Sequence, residues 1–254
     1  MLLAIDIGNT NIVFAVYDGE ALCGSWRSKT KPPRSPEDYK ALIEEKTSGF
    51  NIKVSQITDT VISSVVPEVG TSLQNFCKDI LGHTPIIVTK DLVGLEIDIE
   101  NPEEVGADRL VNALAVTHHY QAPAIVIDFG TATTFDVIDA KGRYAGGVIA
   151  PGVNLSVSAL HQATAKLPQV DIKKPTQVIG KSTVSAMHSG IYWGYQGLIE
   201  GITQNIAREM KVQPFILATG GLAPLFAEDT AVINQVDQEL TLKGLLKVYQ
   251  KSKQ

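Results

Sequence analysis

The stretch Leu2-Leu3-Ala4-Ile5-Asp6-Ile7-Gly8-Asn9-Thr10 decides how this chain reads. Its pattern returns at Ile125-Val126-Ile127-Asp128-Phe129-Gly130-Thr131-Ala132-Thr133-Thr134. In each copy an apolar run enters an Asp-x-Gly turn, and a second apolar stretch follows. A Gly-containing turn comes next, Asp18-Gly19 in the first copy and Asp139 to Gly142 in the second, before a further strand-like stretch. The repeated unit is strand, acidic glycine turn, strand, turn, strand. Two copies predict an α/β protein of two similar lobes, each bringing a carboxylate and a hydroxyl-lined turn to a shared cleft.

The chemistry of the turn gives that cleft a ligand. Gly8 and Gly130 have no Cβ, so the backbone can bend tightly and approach a bulky anion. Asn9, Thr10 and Thr131 add side-chain donors beside backbone N–H groups, a combination suited to phosphate oxygens. Asp6 and Asp128 are hard oxygen donors at the ends of buried strands, suited to magnesium or potassium rather than zinc. A nucleoside triphosphate with its metal ion fits such a set. Asp-x-Gly also marks ordinary hairpin turns. Its recurrence, each time ahead of a hairpin, favours the ligand reading.

Composition sets the outer limits. The chain has 254 residues, 44% of them apolar and 19% charged, as in an ordinary globular protein with a substantial core. A net charge of −5 argues against broad nucleic-acid binding, which needs a basic field. Only Cys23 and Cys77 are present, so a reducing compartment is expected rather than a disulfide scaffold. The strand pattern begins at residue 2 without a basic segment and a long apolar region, so no signal peptide is expected. No apolar run reaches membrane-spanning length. The expected location is cytoplasmic, with no membrane partner.

Along the chain, strands are predicted at Ile12 to Val16, Ala21 to Trp26, Asp59 to Val65, Pro85 to Val88 and Phe215 to Ala218. Ser35-Pro36-Glu37-Asp38 reads as a helix start. Further helices are predicted over 68–81, 107–119, 152–165 and 182–210. The predicted lobes are residues 1–115 and 116–254.

Gly106-Ala107-Asp108-Arg109 sits where a loop enters the helix at 107. Asp108 there suits a general base for a hydroxyl attacking phosphorus, and Arg109 offers a planar fork for a carboxylate or phosphate. A helix-start Asp beside a surface ion pair has the same spacing, so both readings stand. Gly146-Gly147 and Pro151-Gly152 either meet a ligand or end a strand. Thr219-Gly220-Gly221, after a strand, suits a flat adenine against exposed backbone. His161 and His188 lack ligand-spaced partners, and neither a P-loop nor a dinucleotide fingerprint occurs.

These elements occur in a fixed order. Asp6-x-Gly8-Asn9-Thr10, Pro102-x-x-x-Gly106-Ala107-Asp108-Arg109, Ile127 to Thr134, Gly146-Gly147-x-Ile149-x-Pro151-Gly152 and Thr219-Gly220-Gly221 span nearly the whole chain. The ordered set closely resembles the type III pantothenate kinases, of the acetate and sugar kinase, actin and heat-shock ATPase superfamily. That resemblance implies actin-like, ribonuclease H-like lobes with a nucleotide cleft between them. It implies transfer of phosphate from ATP, with Mg²⁺, to pantothenate, on the way to coenzyme A. It further implies that Asp6, Ile7, Gly8, Asn9, Thr10, Asn11, Ile12, Val13 and Thr131 meet ATP. Asp6 would hold Mg²⁺ through water, and Asp128 a monovalent cation, K⁺ or NH₄⁺.

By the same resemblance Asp108 is the catalytic base, and Gly106, Ala107, Asp108, Arg109 and Thr183 line the pantothenate site. A homodimer is implied as well. One departure stands out: where members often carry a substrate-contacting Tyr before the Asn-Pro element, this chain has Ile99. Two alternatives follow from the same fold, a nucleotide-binding regulatory protein and a kinase for another small hydroxy acid.

Overall fold

The computed structural model describes residues 1–254, and the duplicated pattern becomes two five-stranded mixed sheets of one topology. The first sheet holds β1 (Leu2–Ile7), β2 (Asn11–Asp18), β3 (Ala21–Lys29), β4 (Asp59–Ser64) and β5 (Ile86–Ile87), in the order β3-β2-β1-β4-β5. The second holds β6 (Ala124–Phe129), β7 (Ala132–Ile138), β8 (Tyr144–Pro151), β9 (Phe215–Gly220) and β10 (Gln235–Val236). Its order, β8-β7-β6-β9-β10, repeats the first strand for strand. In both, the first three strands form an antiparallel meander, and the fourth returns parallel to the first. The near-continuous apolar runs of β1 and β6 follow from that position, since a central strand is covered on both faces.

The helices make each sheet a core of its own. One unit comprises Met1–Glu96, Glu100–His118 and Leu240–Gln254; the other comprises Ile97–Ile99 and His119–Glu239. In the first, Leu3, Ile5 and Ile7 of β1 pack with Tyr39 and Ile43 of α1 (Pro36–Ser48) and with Val69 and Leu73 of α2 (Pro67–Asn75). Ser35 and Asp38 close a capping box at the start of α1, with Pro36 in its first turn. The helix predicted over 68–81 does not stay regular: α2 gives way to a π-helical turn, Phe76–Leu81, ended by Gly82 in the left-handed region.

A short α3 (Lys90–Val93) precedes α4 (Ala107–His119). The C-terminal helix α8 (Leu240–Lys251) belongs to this first unit. Its Gly244 lies so close to α4 that a Cβ there would stand 2.2 Å from the Val111 carbonyl oxygen. Thr241 Oγ1 also donates to Asn112 Oδ1 at 2.8 Å.

In the second unit, Ile125, Ile127 and Phe129 of β6 pack with α5 (Val153–Gln162), α6 (Thr183–Met210) and α7 (Ala223–Ala227), through Val153, Tyr192, Tyr195, Ile199 and Phe226. Phe226 stacks on Phe129 with ring centroids 5.3 Å apart, adding aromatic contact to the buried area. Ser182 caps α6 through Ser185. No helix is long and apolar enough to cross a membrane.

Candidate active site

The first glycine turn follows β1. The Gly8 N–H donates to the Asn11 carbonyl at 3.0 Å, and a Cβ on Gly8 would stand 3.1 Å from that oxygen. Asn9 and Thr10 are exposed at the tip, Asn11 and Val13 are half-buried, and Ile7 and Ile12 point into the core. Only backbone atoms of Ile7 and Ile12 are therefore offered to a ligand. The turn has a support that the sequence did not reveal. Buried Thr30, just after β3, donates from Oγ1 to the Gly8 carbonyl at 2.7 Å and from its N–H to the Thr10 carbonyl at 3.1 Å.

Half-buried Asp6 lies opposite Val13 in β2 and Ser63 in β4. Parallel partners share a sheet face, so Asp6 and Ser63 project to the same side. The Ser63 hydroxyl is buried without a hydrogen-bond partner. Asp108 belongs to the same unit. Any Cβ at Gly106 would stand 2.5 Å from Asp108 Oδ1 and 3.9 Å from Val65 Cγ1. Val65 in turn donates its N–H to the Ile7 carbonyl at 3.0 Å. Gly106 thus leaves room for the Asp108 carboxylate at a corner that includes the end of β1.

At that corner Asp108 Oδ1 accepts the Arg109 N–H at 2.9 Å, and the Gly106 carbonyl accepts from Arg109 and Leu110 at 3.1 and 3.2 Å. Asp108 is in this respect the helix-start carboxylate that its spacing allows. Oδ1 makes that bond while the side chain stays half-buried rather than covered, as do Ala107 and Arg109.

The second turn follows β6. The Gly130 N–H donates to the Ala132 carbonyl at 3.0 Å, and Thr131 is exposed. Two glycines are required here by close approach. A Cβ on Gly152 would stand 2.1 Å from the Thr131 carbonyl oxygen, and one on Gly220 2.8 Å from Asp128 Oδ1 and 2.7 Å from the Phe129 carbonyl oxygen. Gly220 also has φ +89°. Tyr195 of α6 braces the strand beside Gly152, donating to the Pro151 carbonyl at 2.8 Å and meeting Ser156 Oγ at 2.7 Å. Deeper in β7, fully buried Asp136 accepts from Tyr144 Oη at 2.8 Å and from Thr134 Oγ1 at 3.2 Å.

Thr183 is the exposed first residue of α6 and lines an apolar cavity of about 580 Å³ with Leu160, Leu167, Ala186, Met187 and Ile191. Half-buried Ile99 packs beside Gly146, its Cγ2 3.6 Å from where a Cβ would stand. His118 Nδ1 lies 3.0 Å from the Leu114 carbonyl, a helix-end contact. Burial pushes the Cys77 thiol up to about 11, which leaves it protonated and unreactive near neutral pH. The two cysteines are free.

Two sheets of one topology, each with an acidic glycine turn after its central strand, define an α/β protein of the actin-like ATPase and sugar kinase fold. At 13% identity the activator of the 2-hydroxyisocaproyl-CoA dehydratase from Clostridium difficile, solved with bound ADPNP, superposes with a TM-score of 0.56 over 99% of this chain and 94% of its own. A conserved Campylobacter jejuni protein described as a Baf family transcriptional activator gives 0.64 at 18% identity, covering 99% and 98%. Both likenesses concern the fold alone.

Sequence goes further. The profile of the type III pantothenate kinases matches residues 2–205. A type III pantothenate kinase of Paramagnetospirillum magneticum is 52% identical over 99% of this chain and 98% of its own length. The chain belongs to the type III pantothenate kinase family, a family of kinases.

Proposed function

We propose that this protein transfers the γ-phosphoryl group of ATP to the primary hydroxyl of pantothenate, giving 4′-phosphopantothenate for coenzyme A synthesis. The observation that carries the proposal is the placing of Asp108 at the corner that includes the end of β1, directly before the Gly8 turn. In this reading the turn from Gly8 to Asn11 binds ATP phosphates, with flanking backbone from Asp6 to Val13, and Thr131 meets ATP from the second unit. Gly106 to Arg109 receive pantothenate, with Arg109 offsetting its carboxylate. Asp108 accepts the hydroxyl proton as the oxygen attacks the γ-phosphorus. The bond from phosphorus to the β–γ bridging oxygen breaks, and ADP leaves with the electron pair.

The residues present suit the ions such a reaction uses. Asp6 and the unpartnered Ser63 hydroxyl, on one face of the sheet, fit a hydrated Mg²⁺, which supplies neutralisation of polyphosphate charge. The Asp128 carboxylate and the Phe129 carbonyl crowd one point beside Gly220, a donor set of hard oxygens fitting K⁺ or NH₄⁺. Free thiols fit a cytoplasmic enzyme.

A homodimer is part of the proposal. Gly190, Gly194, Gly197 and Gly201 recur along α6, and a Cβ on any of them meets nothing within 4 Å. Exposed Val178, Ile179, Val184 and Trp193 accompany them. A smooth helix face rimmed by apolar side chains suits a second copy better than water. In that dimer Thr183 contacts pantothenate, with the neighbouring subunit's first unit as its counterpart.

The test is formation of phosphopantothenate from ATP and pantothenate with Mg²⁺, in potassium and in sodium, alongside mass by light scattering. Potassium-dependent product from a particle of twice the chain mass is expected. A folded protein that binds ATP yet phosphorylates no pantothenate would overturn the acceptor assignment.

A further inference from the structure

We infer that Thr30 is the positioning residue of the first phosphate turn, an inference that rests on the nucleotide reading given above. Thr30 lies outside the Asp-x-Gly pattern, twenty residues beyond Thr10, and is fully buried. It ties down two carbonyls of the turn at once, Gly8 through its hydroxyl and Thr10 through its N–H. A trans peptide is planar, with its C=O and N–H pointing in opposite directions. Drawing the Gly8 carbonyl towards Thr30 therefore aims the Asn9 N–H away from it, outwards at the exposed tip of the turn. The Thr30 hydroxyl sets the direction of a backbone donor for phosphate without touching the phosphate itself.

The N–H bond to Thr10 is part of the strand pairing that continues Asn11 opposite Lys29, and a mutation leaves it in place. The hydroxyl bond to Gly8 is the separable part. Thr30→Val keeps the shape and removes that donor, while Thr30→Ser keeps the donor and removes a methyl.

The experiment measures binding of a non-hydrolysable ATP analogue with Mg²⁺ by calorimetry, without acceptor, for the wild type and both variants. Steady-state KM values for ATP and pantothenate and a thermal melt accompany it. Thr30→Val is expected to weaken nucleotide binding and raise the ATP KM by about fivefold to tenfold, as for one lost buried hydrogen bond. The pantothenate KM should stay at the wild-type value, and Thr30→Ser should restore nucleotide binding. Equal nucleotide affinity in wild type and Thr30→Val would overturn the inference. So would a Thr30→Ser protein as impaired as Thr30→Val, or equal losses for both substrates that follow the melting temperature. A wild type that binds no nucleotide would instead overturn the nucleotide reading, and this inference with it.

Discussion

The turn at Gly8 and the turn at Gly130 stand at one position in two sheets of one topology, yet they are held by opposite means. Strand register makes the match explicit. Asp6 pairs with Ser63 as Asp128 pairs with Thr219, and Thr30 follows β3 as Gly152 follows β8. In the first unit, Thr30 reaches the turn with a hydroxyl. In the second, Gly152 reaches it by having no side chain, because a Cβ would overlap the Thr131 carbonyl. The second turn is also shorter by one residue, since Ile7 pairs with Ile12 but Phe129 with Thr133. Duplication preserved the pairing and left each half to find its own support.

The units differ most in what stands beside the turn. Only the first has a helix-start carboxylate at that corner, Asp108, so the largest effect is expected there. Asp108→Asn should lower kcat by about 10²–10⁴-fold, the usual worth of a general base, with nucleotide affinity and melting temperature unchanged. Burst and steady-state assays beside calorimetry check this. Turnover within a few-fold of wild type would leave the two halves chemically alike.

Next in size is Gly152→Ala. Its new methyl group meets backbone atoms that cannot rotate away, with the Thr131 carbonyl oxygen at 2.1 Å and its carbon at 2.7 Å. Overpacking of this kind costs about 3 kcal/mol. For a chain of this length that lowers the melting temperature by roughly 6–10 °C. ATP affinity should fall with it. A variant that melts and binds like wild type would show that the second turn does not depend on close approach.

The paired carboxylates give a sharper contrast. Asp128→Asn should abolish most of the potassium response while the Mg²⁺ requirement shifts little. Asp6→Asn should raise the Mg²⁺ half-saturation by about tenfold, the order seen when one partner around a metal is lost. Cation titrations of both variants separate the outcomes. If both lost the same cation response, the matching register would mean matching roles.

How much of this was legible beforehand follows from the range of the interactions. The duplicated topology was readable because Leu2 to Ile7 and Ala124 to Phe129 are local apolar runs ending in a turn signal. The starts of α1, α4 and α6 were readable because Ser35-Pro36, Gly106 and Ser182 act within one helical turn. Thr30 was not, since its meaning comes from Gly8, twenty-two residues away. Gly152 and Gly220 were visible as glycines, but only tertiary approach separates a required glycine from a strand end. The place of helix α8 in the first unit was not legible, because it depends on Gly244 meeting Val111, a contact spanning more than half the chain.

The smallest effect tests whether the second turn has any side-chain support at all. Tyr195 donates to the Pro151 carbonyl, one residue before Gly152, and also meets Ser156 in the first turn of α5. Tyr195→Phe keeps the ring in its core and removes only the hydroxyl, so the expected loss is about 1 kcal/mol of stability. The bond lies one peptide away from the turn, whereas that of Thr30 lies on it. Nucleotide affinity should therefore change less than in Thr30→Val, although Tyr195→Phe loses two hydroxyl contacts and Thr30→Val one. Denaturant melts and calorimetry on the two variants, in one buffer, make the comparison direct. A Tyr195→Phe protein that loses as much nucleotide affinity as Thr30→Val would mean that both halves hold their turns through hydroxyls, with Gly152 only making room.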